Sequence, residues 1–189
     1  MSERLERLVE SALDPEQLRL YRQICEGPRA AIRSFALRDR SGSLNGPFGL
    51  MLQVPKLGQP LQDLGAALRF HTSLGDRERE LLTLRAAVAL DSEFEWYAHE
   101  HAGREAGLSV DDLLALKAGT YVPRDQAEER LVGLADILLA HGEVEDATYA
   151  DLAGALSAEQ ILEVIILVGY YRTLAQMMRV FAIGSPTED

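Results

Sequence analysis

Residues 80–107, ELLTLRAAVALDSEFEWYAHEHAGREAG, decide how this chain is read. Two stretches with apolar residues at three- and four-residue spacing, the mark of amphipathic helices, meet at Asp91-Ser92. In the first arm Leu81, Leu84, Arg85 and Val88 fall in successive turns. In the second, Ser92 stands as an N-cap with Glu95 three residues on, a capping-box spacing, and Gly107 supplies the C-terminal stop. The same hairpin gathers the only tryptophan, Trp96, two of the four histidines, His99 and His101, and a run of carboxylates.

Glu95 and His99 are four apart on one helix, so they share a face and can meet. A carboxylate beside an imidazole holds its tautomer and raises its basicity, the preparation of a general acid or base. Glu80 lies about 17 Å of helix before the turn and His99 about 11 Å after it. In an antiparallel hairpin these differ by about one helical turn, so Glu80, Glu95 and His99 converge as the candidate catalytic set.

Each of these residues also has a purely structural reading. Glu95 completes a capping box, Glu80 is a first-turn acid that complements the helix dipole, His99 is a hydrogen-bonded core histidine and Trp96 a core residue. His101 faces away from His99. Glu80, Glu95 and His99 also suit zinc or iron by ligand type, but the HExxH order is absent and no second strong ligand pair appears, so the metal reading ranks last.

Outward from the hairpin, helix signals dominate. A short amphipathic pattern covers residues 3–13. Asp14-Pro15-Glu16-Gln17 is a capped start for a helix to about Glu26, and a short helix is possible over residues 29–37. Residues 38–60 hold enough glycine and proline to read as a loop with one helical turn, lying on the core through Phe48, Leu50, Met51, Leu52 and Val54. Helices follow over residues 61–70, from Gly75-Asp76, over 93–106, from Ser109 to Ala118, over 124–141 and over 146–156. Ser157-Ala158-Glu159-Gln160 opens a last helix to about Ile183. No run of alternating residues predicts a strand. The expectation is an all-α fold of about eight helices in one domain spanning residues 1–189, with its core motif at about 75–120. The last helix is apolar all round from Ile161 to Tyr170, which calls for burial on every side and favours a homo-oligomer interface.

The 189 residues are 47% hydrophobic and 26% charged, an ordinary globular balance. With 19 Lys and Arg against 30 Asp and Glu, the net charge of −11 repels phosphate backbones and anionic lipid, so neither nucleic acid nor a membrane is the expected partner. The longest apolar run is broken by Glu163 and Arg172 and falls short of a spanning helix. The N-terminus has no signal-peptide pattern, and a cytoplasmic location is expected. A lone cysteine, Cys25, excludes an intramolecular disulfide or a paired-thiol redox centre.

Residues 77–119, RERELLTLRAAVALDSEFEWYAHEHAGREAGLSVDDLLALKAG, resemble the core motif of the carboxymuconolactone decarboxylase and alkylhydroperoxidase-D-like family. The stretches GPFGLMLQVPKLGQPLQDLGAALRF before it and ILEVIILVGYYRTLAQMMRVF near the end are also similar to that family. In its peroxidase branch the motif carries two cysteines, and these positions fall on Ser92 and Glu95, while the glutamate and histidine fall on Glu80 and His99. Thiol-based peroxide reduction needs a thiolate and a resolving partner, so the resemblance implies the branch without them. It implies an alkylhydroperoxidase-D-like helical fold and a cofactor-free, metal-free decarboxylase-like lyase. Its substrate would be a small carboxylated lactone or related carboxylic acid, with Glu80, Glu95 and His99 handling protons. The competing expectation is a non-catalytic small-molecule-binding or structural homo-oligomer. Arg85 and Arg33 are the cations that could hold an anion, and Tyr170 or Tyr171 could offer a hydroxyl.

Overall fold

A computed structural model describes residues 3–27 and 35–186. Among these are a 3-10 turn at Glu10–Ala12 and nine α-helices: α1 (Pro15–Glu26), α2 (Pro47–Gln53), α3 (Pro55–Phe70), α4 (Asp76–Ala89), α5 (Glu93–Glu105), α6 (Val110–Ala118), α7 (Gln126–Ala140), α8 (Asp146–Ala155) and α9 (Ala158–Phe181). No strand occurs among the described residues beyond one isolated bridge between Arg38 and Leu44. The fold is all-α, as the periodicity requires.

Helix α4 is the axis of the packing. It lies against α5, α6, α7 and α9, and Leu81, Leu82 and Leu84 are each 1% exposed or less. Each such leucine contributes roughly 1.5–3 kcal/mol through burial. A helix covered on so many sides has little polar face left, which is why a carboxylate on it, Glu80, ends up inside. The start of α4 is pinned one turn earlier: Arg77 pairs with the buried Glu128 of α7 at 3.4 Å and with Asp112 of α6 at 3.5 Å. Tyr121 donates to Glu128 at 2.8 Å.

The α4–α5 turn is tight. Asp91 takes a left-handed conformation (φ 49°), which short polar side chains tolerate. The Ser92 N–H returns to the Ala87 carbonyl at 2.9 Å. At the far end of α5, Gly103 lets the two helices close: a Cβ there would lie 2.9 Å from Leu84 Cδ1.

Several sequence expectations are corrected. Residues 3–9 are not helical; the Arg4 N–H instead bonds to the Phe181 carbonyl at 3.0 Å, and Gln53 donates to the Glu6 carbonyl at 3.1 Å, so the segment is held across α9 and α2. The short helix over residues 29–37 falls mostly outside the described residues, and residues 35–37 are not helical. The stretch 38–60 is not one loop, since α2 and most of the first half of α3 lie in it. Pro47 and Pro55 begin those helices, at the first position where a missing N–H costs nothing. Pro60 sits inside α3, where it forgoes one backbone hydrogen bond.

The last helix also differs from expectation. It ends at Phe181, with Ala182 left-handed. By length and a mean hydropathy of 1.3 it could span a membrane, contrary to the reading of its apolar run as too short. Ile161, Val164, Leu167, Val168, Leu174 and Met178 are buried in the fold, whereas Leu162, Ile165, Ile166 and Val180 are 42–58% exposed. One face is therefore core and the other is uncovered within the chain.

Candidate active site

The three residues picked from the hairpin meet. Glu80 (2% exposed), Glu95 (3%) and His99 (8%) are all buried. His99 Nδ1 is 2.7 Å from Glu80 Oε2, and His99 Nε2 is 3.6 Å from Glu95 Oε2. Glu80 therefore orients the ring, and Glu95 stands on the opposite nitrogen; the spacing argument had given the orienting role to Glu95. Tyr171 of α9 closes the chain, its hydroxyl 3.2 Å from His99 Nε2 and its ring edge-on to the imidazole at 5.5 Å.

The structural readings fare differently. Ser92 caps α5 without a side-chain hydrogen bond, and no capping box forms; Glu95 is turned inward instead. Glu80 lies in the second turn of α4, while Asp76 and Glu78 occupy the first and Glu78 accepts the Gly75 N–H at 2.8 Å. Glu80 is thus not a helix-end residue, and Glu95, in the first turn of α5, makes no capping box there. Trp96 is only part-buried: its Nε1 donates to Glu100 at 2.7 Å, and Lys117 lies 4.4 Å over the ring. His101 is exposed beside Glu105, as expected.

The electrostatics fix the proton positions. Burial pushes the Glu80 carboxyl up, but the His99 charge, its hydrogen bond, and the Arg69 and Arg79 guanidiniums outweigh this and hold it below its ordinary value. Burial first, then the charges of Glu95 and Glu80, push the Tyr171 phenol well above its ordinary value, so it keeps its proton. With neutral His99, these partners assign the proton to Nδ1, donated to Glu80, and leave Nε2 to accept from Tyr171. Because Glu80 is held low by the fold, its contribution to stability is complete above its unfolded value and disappears as pH falls through the folded one. Urea unfolding between about pH 5 and pH 3 is expected to weaken the wild type more than Glu80→Gln. Parallel acid profiles would contradict that coupling.

The site opens on a cleft of about 520 Å³, its mouth included. Phe35, Phe48, Phe94, Leu68 and Leu167 give it an apolar wall, and Arg69 and Arg79 line it beside the acid–base groups. Its enclosed part is narrow.

The cations at the cleft escaped the sequence reading. Arg85 is held by Asp136 at 2.7 and 3.1 Å and does not line the cleft, and Arg33 lies outside the described residues. Among the described residues, Arg69 and Arg79 line the cleft. Arg79 precedes Glu80, so its nearness was readable; Arg69 comes from α3, whose approach to α4 and α5 has no local sequence signal. Of the two tyrosines, Tyr171 reaches His99, while Tyr170 packs edge-on against it at 5.4 Å. Among the described residues no group of three or more His, Cys, Asp or Glu side chains is arranged to hold a metal ion.

Comparison with known proteins follows the same line. Residues 55–136 match the profile of the carboxymuconolactone decarboxylase family. No protein of curated function matches the chain in sequence. Among solved structures, an uncharacterized peroxidase-related protein from Ralstonia eutropha JMP134, with an alkylhydroperoxidase AhpD core, superposes with a TM-score of 0.76 at 12% identity, covering 97% of this chain and 92% of that one. An uncharacterized peroxidase-related protein from Silicibacter sp. TM1040 gives 0.76 at 14% identity over 98% and 92%. A protein of unknown function from Agrobacterium tumefaciens, provisionally assigned to antioxidant defence as AhpD, gives 0.64 at 21% identity over 74% and 97%. At these identities the likeness is one of fold.

Proposed function

The chain belongs to the carboxymuconolactone decarboxylase family through residues 55–136, and from that premise we propose that it is a cofactor-free, decarboxylase-like lyase acting on a small carboxylated lactone or related acid. The observation that carries this reading is the buried Glu80–His99–Tyr171 chain, at 2.7 and 3.2 Å, with Glu95 at 3.6 Å on the cleft side. In its protonated form His99 keeps Nδ1–H on Glu80 and turns Nε2–H to the cleft. The bond from the substrate carbon to its carboxylate breaks, CO2 leaves, and the electron pair passes into the adjoining enolate. That carbon then takes the Nε2 proton, and Glu95 is placed to pass a replacement from solvent. Glu80 stabilises the imidazolium throughout. By the resemblance of the hairpin to the peroxidase motif, Ser92 and Glu95 fall where that branch has its thiol pair, so the protein is expected to lack thiol peroxidase activity. CO2 release measured across a panel of lactone acids tests the reaction, and no release from any of them sinks it. The narrow cleft favours a second reading, ligand binding without turnover, whose signature is saturable binding of the same acids with no CO2.

The uncovered face of α9 belongs to the same proposal. Leu162, Ile165, Ile166 and Val180 form an apolar surface on one helix, the kind that a second copy of the chain covers in a homo-oligomer. Light scattering after size exclusion is expected to give a multiple of the chain mass for wild type and a smaller species for Ile165→Glu. A wild type that is monomeric at micromolar concentration removes this part.

A further inference from the structure

We propose that Arg69 anchors the carboxylate of the ligand in this cleft, and that the phenylalanines beside it select a planar, unsaturated acid. The inference rests on reading the cleft as the functional site. Arg69 lies in the last turn of α3, is partly buried and lines the cleft with Glu80 and His99. The other partly buried arginines away from the termini are engaged. Arg77, Arg79, Arg85 and Arg130 each have a carboxylate within 4 Å, and Arg172 donates to the carbonyls of Leu138 and Leu139. Arg69 has no hydrogen bond and no carboxylate within 4 Å among the described residues, its charge reaching Glu80 only from farther off, in a chain with 30 acidic residues against 19 basic ones. Its position at a helix C-terminus is favourable in itself and commits none of the guanidinium donors to another described residue.

Arg79 cannot serve in its place, being 2.8 Å from Asp76 and 3.6 Å from Glu80. A guanidinium fork matches a carboxylate through two parallel hydrogen bonds, which makes an organic acid the fitting partner. Its body would meet a flat aromatic wall. Phe35 lies parallel to Phe48, centroids 6.1 Å apart and planes at 6°, and meets Phe94 edge-on at 5.9 Å. The Phe94 ring is clamped, since a Cβ on Gly46 would fall 2.2 Å from its Cζ. Aromatic faces of this kind hold flat rings by offset or edge-to-face contact.

The experiment uses benzoate as probe, benzamide as its neutral counterpart and cyclohexanecarboxylate as its non-planar one, read by calorimetry and thermal shift on the full chain. Benzoate is expected to bind wild type saturably and raise its melting temperature, with benzamide well behind. Arg69→Gln should weaken benzoate by about ten- to hundredfold, Arg69→Lys less, and Arg104→Gln, on the exposed end of α5, not at all. Equal benzoate affinity in wild type and Arg69→Gln overturns the anchor, as do equal affinities for benzoate and benzamide, or no saturable binding at millimolar benzoate. Cyclohexanecarboxylate binding as tightly as benzoate overturns the selection for planarity. Binding is read without turnover, so Arg69-dependent benzoate binding in a protein that releases no CO2 upholds the anchor and counts only against the proposed reaction.

Discussion

His99→Ala is expected to lower CO2 release from a responsive lactone acid by about 10²–10⁴-fold, the range lost when a positioned general acid is removed. The reason is geometric. His99 is the one group with both ring nitrogens committed to the site, Nδ1 on Glu80 at 2.7 Å and Nε2 facing Tyr171 and Glu95 at 3.2 and 3.6 Å. Tyr171 cannot take over as acid, because burial and the two carboxylates hold its proton too tightly. Glu80 cannot either, being held as carboxylate and turned to the far side of the ring. The loss should therefore fall on kcat, with KM little moved, since the interaction removed acts in the transition state. Glu80→Gln should lose a smaller part of the rate, as the amide still accepts from Nδ1 but no longer stabilises the imidazolium. A His99→Ala enzyme within about threefold of wild type in kcat would end the proton-transfer assignment.

The site was largely legible in the sequence because it is local. Glu95 and His99 are one helical turn apart, and Glu80 follows from counting back through a short turn, so regular helix geometry brings them together without knowledge of the rest. Which carboxylate holds the ring was not legible, because it depends on how far α4 rotates about its axis, and that is set by the burial of Leu81, Leu82 and Leu84 among the helices around it. Arg69 and Tyr171 were harder still. Tyr171 meets His99 from α9 and Arg69 lines the same cleft from α3, tertiary facts with no periodic signal. The α2–α3 region was misread for a different reason. Glycine and proline were taken as loop punctuation, whereas here Pro47 and Pro55 start helices and Gly58 lets two of them touch.

That contact carries the largest expected loss of stability. Gly58 is buried near the start of α3, and a Cβ placed on it would lie 2.2 Å from the Met51 carbonyl oxygen, 2.8 Å from its carbon and 3.0 Å from its Cα. All three atoms are backbone, so no side chain can swing aside; the corner between α2 and α3 has to open. Met51 and Leu52 next to it are fully buried, and α2 also carries Phe48 into the cleft wall, so the strain reaches both the core and the site. Gly58→Ala is expected to cost on the order of 3 kcal/mol in urea unfolding and to weaken any ligand held against Phe48. The same substitution at Gly154, inside α8 with nothing within 4 Å of the new Cβ, should stabilise by about 0.5–1 kcal/mol through helix propensity alone. Opposite signs for one chemical change identify the α2–α3 contact as the cause. Unfolding midpoints that move together, or a Gly58→Ala protein as stable as wild type, would mean that α2 and α3 do not approach each other as closely as this structure has them.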